Sequence, residues 1–453
     1  MGCHPPAVKR DRFMSSYLSA RSIAARVLVR VELDSAFAAA VLDAELRSAK
    51  QLDVRDRRLA TELTYGTLRT INLVDEMLLR FAKNGISKLE PLTRAHLRVG
   101  AYQLMFLTKT PAFAVVNEAV NAVREKHGPR LAGFVNAVLR KVASARESFV
   151  PETVLLEATP SWLRERLIAR VGQEGAAALV GYIHEVAPVG ICVPNASERA
   201  ALVRELESEL TTAVVQAAPL SPLGVLVREG GAPQKWRAVV EGRAWVQEEG
   251  SQLVALLVGA QPGERVLDVC AGRGHKTAIL ANAVGSAGRV VAADLHEAKL
   301  DQLKREAALT GWCVTEVYPI DWSVGAGGLD RDPFDAVLVD APCTGTGTLR
   351  RRPEIAGRRT EASIAELSAL QFSILTNAAR CVRDGGRLVY SVCSVLQEEG
   401  EEVVERFLAS NASFSPLAFP PGSPVGSGSS ELLLAPHTHG TDGYFVANLV
   451  KSS

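Results

Sequence analysis

Along the first third of the chain, apolar residues recur at i, i+3, i+4 and i+7, the period of a helix with one buried face. The pattern runs through "ARSIAARVLVRVEL", "DRRLATELTYGTLRTINLVDEMLLRFA", "PLTRAHLRVGAYQLMFL", "VVNEAVNAVREK" and "LAGFVNAVLRKVAS". Turn signals "KNGIS", "KTP" and "KHGP" separate these runs. An all-α domain is expected over residues 18–145, behind a flexible tail at 1–17. Residues 146–245 are mixed. "PSWLRERLIARVG" predicts a helix opening at Pro160 and Ser161 and stopped by Gly172, and "LVRELESEL" predicts a second. "VGICVP" and "LGVLV" have the length of strands, so a small α+β domain is expected there. From residue 246 the pattern alternates. "RVLDVC", "RVVAADL", "CVTEVYPI", "FDAVLVDAP" and "GRLVYSVC" are short apolar runs, interleaved with the helical "KTAILANAV", "EAKLDQLKREAAL" (stopped by Gly311) and "EASIAELSALQFSILTNAARCV". Such alternation predicts a parallel, doubly wound, Rossmann-like α/β sheet over 246–453. "FPPGSPVGSGSS" is expected to be a flexible loop and "YFVANLV" a last strand.

Composition narrows the class. With 47% hydrophobic and 22% charged residues the chain is expected to be globular. No stretch of about 18 uncharged apolar residues occurs, so no spanning helix is expected, and "MGCHPPAVKRDRF" has no signal-peptide core. Seven cysteines without a C-x-x-C pair suit free thiols in the cytoplasm better than a disulfide framework or a zinc site. Charge is unevenly placed. Residues 1–150 hold 24 Lys+Arg against 14 Asp+Glu, and the remainder 27 against 36. A basic first domain joined to an acidic remainder points to a nucleic-acid partner.

In an open α/β sheet the ligand lies at the carboxyl ends of the strands. That edge collects Asp268, Asp294, Asp321, Asp340, Cys343 and Cys393. The turn "CAGRGHK" carries Gly272 and Gly274, which allow backbone amides close approach to a ligand. Asp294 ends the next strand, where an acid can accept from ribose hydroxyls; this suits a nicotinamide dinucleotide and S-adenosylmethionine equally. Free cysteines are most often packing residues, and Cys192, Cys313 and Cys381 are read so. Cys343 follows a proline in a Gly/Thr-rich loop, and Cys393 lies among small residues before the acidic "LQEEGEE".

Two stretches, "DAPCTGTGTLRRRPE" and "LVYSVCS", together resemble the RNA cytosine-C5 methyltransferases, with "VQEEGSQL" and "TDGYFVANL" adding to the likeness. The helical first domain resembles the NusB RNA-binding fold. "PAFAVVNEAVNAVR" and "FVNAVLRKV" are similar to the RsmB (Sun/Fmu) branch, which methylates small-subunit ribosomal RNA. The resemblance implies that Cys393 is the nucleophile toward C6 of a cytosine, that Cys343 assists its release, that Asp340 meets the cytosine edge, and that Lys276 lies near the reacting base. It further implies that Cys270, Ala271, Gly272, Arg273, Gly274, His275 and Lys276 cradle S-adenosylmethionine, with Asp294 at its ribose, Asp321 at its adenine, and Asp340 alongside. The substrate implied is an unstacked or loop cytosine in small-subunit ribosomal RNA. Neither a metal nor a membrane is expected, and a monomer is.

Some positions depart from the family pattern. "CAGRGHKT" stands for the usual "CAAPGGKT", so Arg273 adds charge beside the cofactor's carboxylate and His275 costs backbone freedom. "SVCS" replaces "STCS". "LRRRPE", with Arg358 and Arg359, is a second basic cluster with phosphate contact expected, and "PHTHGTD" is expected to be a loop. Alternatives are the same chemistry on tRNA or another RNA, or a NusB-like RNA-binding or assembly factor with an inactive methyltransferase domain.

Overall fold

A computed structural model describes residues 19–107, 109–146, 155–312 and 314–453, without the side chains of 314 and 315. The expected tail at 1–17, and Cys313, lie outside the described residues. The chain forms two compact units, to residue 151 and from residue 152.

The first unit is helical throughout its described residues: α1 (Ala20–Leu33), α2 (Ala38–Ser48), α3 (Val54–Arg69), α4 (Ile71–Phe81), α5 (Pro91–Phe106) and α6 (Ala112–Ala145). Local chemistry sets the starts. Ser19 caps α1 in a reciprocal box with Ser22, Asp53 accepts from Asp56 N–H at α3, and Glu90 accepts from Thr93 N–H ahead of Pro91 at α5. Helix α5 packs against α1, α3, α4 and α6 and is buried on most of its faces. Two features differ from the sequence pattern. Helix α2 has a narrow buried stripe (Ala38, Val41, Leu42) and is not marked by the periodicity. The long run from Asp56 is two helices parted at Thr70. "KHGP" does interrupt the helix: at Gly128 the backbone leaves the helical region (φ 81°), and α6 is two helical runs joined across that kink.

Several arginines of this unit are consumed internally. Arg21 pairs with Glu118, Arg26 with Glu45, and Arg98 with Glu32 and Asp75. Its outward positive charge comes from exposed residues such as Arg124, Arg130, Arg140 and Lys141.

The second unit opens with α7 (Leu155–Ala158) and α8 (Ser161–His184). At Gly172 (φ 74°) the backbone leaves the helical region, so the first helical run stops there as expected, and α8 resumes beyond the kink to His184. An antiparallel sheet follows in the order β2-β3-β1-β4: β1 (Val189–Cys192), β2 (Val214–Ala217), β3 (Gly224–Arg228) and β4 (Trp245–Val246). Helices α9 (Arg199–Glu209) and α10 (Arg237–Val240) accompany it. Its core is continuous with that of the large sheet: Ile191, Val225 and Trp236 share one buried cluster with Val266, Leu338 and Val446.

The large sheet is built from α11 (Glu249–Leu257), β5 (Arg265–Asp268), α12 (His275–Val284), β6 (Arg289–Asp294), α13 (Glu297–Thr310), β7 (Val314–Pro319), β8 (Phe334–Asp340), α14 (Glu361–Ala379), β9 (Val382–Val392), α15 (Glu401–Ser410), β10 (Phe414–Pro416), β11 (Glu431–Leu434), α16 (Pro436–His439) and β12 (Tyr444–Lys451). Its order is β10-β12-β9-β8-β5-β6-β7, with β11 also on β12. Strands β5 to β9 are parallel, as their unbroken apolar runs require, because both faces are covered. Strands β10, β11 and β12 are antiparallel, so the sheet is mixed rather than wholly parallel. The "FPPGSPVGSGSS" segment is tied down by Phe419, which is buried and bonded to Ser429. "PHTHGTD" contains the one-turn α16 instead of a plain loop.

Chain order fixes the site. From β5 the chain moves to β6 and β7 on one side, then returns to place β8 on the other. The crevice outside the ends of β5 and β8 is therefore the topological switch point, where such sheets bind ligands.

Candidate active site

Strand β8 ends at Asp340, opposite Ser391 of β9. Each strand then releases a loop carrying a cysteine, and the two sulfurs meet: Cys343 Sγ lies 3.3 Å from Cys393 Sγ. Backbone bonds lock the loops together. Gly347 N–H donates to the Cys393 carbonyl (3.1 Å), and Gly443 N–H to the Gly347 carbonyl (2.8 Å). The crossing is so close that a Cβ on Gly347 would stand 2.0 Å from the Gly443 oxygen, which is why both positions are glycine. The Thr346 and Ser394 hydroxyls are 2.9 Å apart and buried.

Lys276, in the first turn of α12, reaches across the crevice to Asp340 Oδ2 at 2.6 Å. Burial would pull its ammonium down, but the Asp340 charge, the hydrogen bond to it, and Cys393 nearby hold it above its ordinary value. Tyr444 packs beside this pair, with Lys276 Nζ 5.8 Å from its ring centre. The Cys343 thiol is pushed well up by its hydrogen bond with Cys393, by burial, and by the charges of Cys393 and Glu399.

The first turn has the form of a cradle. Gly272 (φ 57°) and Gly274 (φ 88°) are both left-handed, and a Cβ on Gly274 would strike Leu303 at 2.6 Å. His275 is the first residue of α12 and needs no such conformation, so replacing a glycine there costs the turn nothing. Its Nε2 turns to Glu306 Oε2 on α13, 3.3 Å away. Arg273 is exposed between the glycines. Ala271 is buried, and Cys270 packs against the core beneath, where burial pushes its thiol well up. Asp294 Oδ2 accepts from Gly272 N–H (3.0 Å) and Oδ1 from His296 N–H (2.8 Å). Asp321 is exposed, its Oδ1 taking both the N–H and the O–H of Ser323, and these bonds lower its carboxyl. Ile320 N–H donates to the Asp294 carbonyl, which sets Asp321 beside the end of β6.

Asp268 is 1% exposed. Its Oδ2 accepts from Thr277 Oγ1 (2.7 Å), and its Oδ1 has no partner. Burial pushes its carboxyl up to about 7. The unfolded carboxyl ionises near 4, so the native state keeps a proton that the unfolded state has lost between these values. This group's contribution is complete below about pH 4 and is lost as pH rises through about 7, by up to about 4 kcal/mol. Asp268→Asn keeps an acceptor for Thr277 and should flatten the fall in stability from pH 4 to 7, read by urea unfolding across that range.

The sequence reading missed Glu399, Gln371 and Thr344, the buried network behind Cys343. The "LRRRPE" cluster also differs from expectation. Arg350 is 3% exposed, stacks on Tyr182 (4.1 Å), and donates to the Val186 carbonyl. Arg351 holds both oxygens of Asp442 and the Pro188 carbonyl. Arg359 donates to the carbonyls of Thr344 and Cys343. These three bind protein rather than face outward for phosphate. Among the described residues, no cluster of three or more His, Cys, Asp and Glu could hold a metal, and no helix is long and apolar enough to cross a membrane.

A parallel sheet with a glycine cradle after its first strand, acids ending the next strands, and loops crossing at the switch point is a Rossmann-like methyltransferase, here following a NusB-type helical unit. The 16S rRNA methyltransferase RsmB/F profile matches residues 255–450 and the NusB profile residues 18–144. The chain is 31% identical to the probable ribosomal RNA small subunit methyltransferase B of Synechocystis sp., over 96% of this chain and 100% of that one. It is 34% identical to the ribosomal RNA small subunit methyltransferase B of Thermus thermophilus, over 95% and 97%. The crystal structure of PH0851 shares the fold, with a TM-score of 0.80 at 24% identity, over 96% of this chain and 100% of that one. The chain belongs to the family of the ribosomal RNA small subunit methyltransferases B.

Proposed function

We propose that this protein transfers a methyl group from S-adenosylmethionine to C5 of a specific cytosine in 16S ribosomal RNA, through a covalent bond between Cys393 and C6, acting in the cytoplasm as a monomer. The observation that carries this reading is the pair of thiols 3.3 Å apart beside the Lys276–Asp340 pair. Cytosine C5 is too weak a nucleophile to take a methyl group unaided. Addition of the Cys393 thiolate to C6 places electron density on C5, which can then form the new carbon–carbon bond. Bound S-adenosylmethionine would supply an electrophilic methyl group.

The residues present fit that cofactor. The left-handed turn at Gly272 and Gly274 opens backbone amides toward its methionine end, and buried Asp268 keeps an unpartnered oxygen behind the turn. Cys270, Ala271, Arg273, His275 and Lys276 complete the turn. Asp294 would hold the ribose and Asp321 the adenine amine. Asp340, steadied by Lys276, would accept from the cytosine edge around N3, at the 4-amino group and at N3 once that nitrogen takes up a proton as Cys393 adds. Cys343 would assist loss of the C5 proton and departure of Cys393. A cytosine in a stacked helix cannot enter a crevice between strand ends, so the target is unstacked or in a loop. Residues 18–145 would grip the RNA, and residues 146–245 would dock it.

The test is transfer of labelled methyl to protein-free 16S RNA, followed by digestion to nucleosides. Label in 5-methylcytidine is expected. Label in any other nucleoside overturns the chemistry, label only in tRNA overturns the substrate, and absence of both cofactor binding and transfer leaves an RNA-binding factor. Grip by the first unit has its own test. Arg140 and Lys141 are exposed around a shallow depression with Phe81 and Ser144. Charge reversal of both (Arg140→Glu, Lys141→Glu) should weaken RNA binding about tenfold and reduce the slope of log affinity against log salt by about 1 to 2. Filter binding at three salt concentrations would show it.

A further inference from the structure

Two identical functional groups lie 3.3 Å apart, and only one of them can be the sulfur that attacks. Their own chemistry does not choose between them, so the surroundings must. Beside Cys393 stands Lys276, a cation paired with Asp340. Behind the turn that carries Cys343 stands an acid without such a partner among the described residues. Glu399 is 0% exposed, at the end of a 3-10 turn over Gln397–Glu399. Its Oε1 accepts from Thr344 N–H (2.7 Å) and from Gln371 Nε2 (3.0 Å), and its Oε2 accepts from the Thr344 hydroxyl. Gln371 also donates to the Pro342 carbonyl (2.9 Å). The three residues of the Pro342–Thr344 turn are thus clamped from behind by one carboxylate and one amide. Among the described residues the donors to Glu399 are neutral, and it forms no ion pair with any of their side chains.

A buried carboxylate that only fastened a loop could be a glutamine at less desolvation cost. We propose that Glu399 divides the labour between the two thiols: it pins the turn carrying Cys343 and sets an uncompensated negative charge beside that sulfur, so Cys343 keeps its proton and Cys393 is left as the one that attacks. Glu399 touches no reacting atom and is a positioning residue. The inference rests on the reading of Cys393 as nucleophile. Its consequence is a single mode of addition. A Cys343 thiolate would compete for the same C6 and form an adduct from the wrong side of the pair. Other charged and titratable groups also face Cys343. Arg359 touches the same turn, its half-buried guanidinium engaged with the carbonyls of Cys343 and Thr344. Tyr390 is buried beneath, with its phenol pushed well up and so neutral, and it donates to the Glu399 carbonyl (2.6 Å). Asp340 is taken up by Lys276. Glu399 thus adds its charge to the larger effects of the Cys393 hydrogen bond and of burial at Cys343.

Glutamine at 399 can keep the clamp. Its oxygen can accept from Thr344 N–H and Gln371, and its amide can donate to the Thr344 hydroxyl, which accepts as readily as it donates. Only the charge is lost. The experiment is site-resolved alkylation of the full-length protein by iodoacetamide, under reducing conditions and without RNA or cofactor, from pH 6 to 10. Each event forms one sulfur–carbon bond from a thiolate and releases iodide. In wild type, Cys393 should react with a midpoint at least one pH unit below that of Cys343. In Glu399→Gln the Cys343 midpoint should fall by about one unit, raising its rate near pH 7.5 about tenfold. Gln371→Met loosens the clamp but leaves the charge, so it should raise the Cys343 plateau without moving its midpoint. An unmoved Cys343 midpoint in Glu399→Gln overturns the proposal. So does a wild type in which the two thiols share a midpoint, a result available even if the variant does not fold. None of these readings depends on methyl transfer, so failure of the enzymatic assignment shows separately, in the nucleoside assay.

Discussion

Cys343→Ala is expected to accumulate a protein–RNA complex that survives denaturing electrophoresis, while Cys393→Ala forms neither complex nor product. The two outcomes follow from one geometry. The sulfurs share a hydrogen bond in one crevice, so both can reach the same base, yet the proposed mechanism sets them at opposite ends of the reaction. Without Cys393 no bond to C6 forms, C5 stays unreactive, and methyl transfer should fall by on the order of 10⁴ or more, as for other removed nucleophiles. Without Cys343 the addition and the methylation proceed, but the assisted departure is lost. Turnover should fall by about 10²–10³ while the complex builds up in proportion to enzyme. Alanine at either position removes one partly buried sulfur, at a stability cost of about 1 kcal/mol, so folding does not account for the contrast. If Cys343→Ala gives no complex and Cys393→Ala gives one, the roles are reversed, and the charges of Lys276 and Glu399 must act differently from the account above.

Much of this site can be read from the chain because strand ends announce themselves. "FDAVLVD" and "GRLVYSV" are continuous apolar runs whose last residues must emerge at one edge of a parallel sheet, so the pattern alone sets Asp340 and Cys343 at the same edge as Cys393. The Lys276–Asp340 bond was not legible, because a lysine in the first turn of a helix carries no mark of the direction its side chain takes. Glu399 was hidden for a different reason. It sits in "LQEEGEE", a run of like charges that ordinarily reads as a solvated face, and only the fold shows that one of those acids turns fully inward. The opposite error befell "LRRRPE", where adjacent arginines suggested phosphate and the structure turns two of them, Arg350 buried and Arg351 half-buried, onto carbonyls and Asp442. Charge runs state composition, and which member faces the core is a matter of tertiary packing. In the helical unit, periodicity failed where it was weakest. Helix α2 is rich in alanine and buries only its first turns, so it left no stripe to detect.

Replacing Lys276 or Asp340 should separate activity from stability. Lys276→Met removes the cation 2.6 Å from Asp340 and leaves a carboxylate, about one-quarter exposed, without its ion pair. Asp340→Asn leaves the more deeply buried ammonium, 13% exposed, without its counter-charge. Each single change should cost about 1–3 kcal/mol, below the figure for a wholly buried pair because water reaches both groups. Each should also lower methyl transfer by about 10²–10³, since the cytosine edge loses either the group that meets it or the group that steadies that one. In the double variant neither charge is stranded. Its stability should return to within about 1 kcal/mol of wild type, whereas its activity should stay as low as that of the worse single variant. Urea unfolding and methyl transfer on the same four proteins give both cycles. Recovery of stability without recovery of activity would mean that the pair is held for its chemistry. Recovery of both would make it a structural tie, and the cytosine edge would then need another partner. Additive losses in stability would show that the two side chains are not coupled in solution, and the 2.6 Å contact could then no longer explain how Asp340 is aimed.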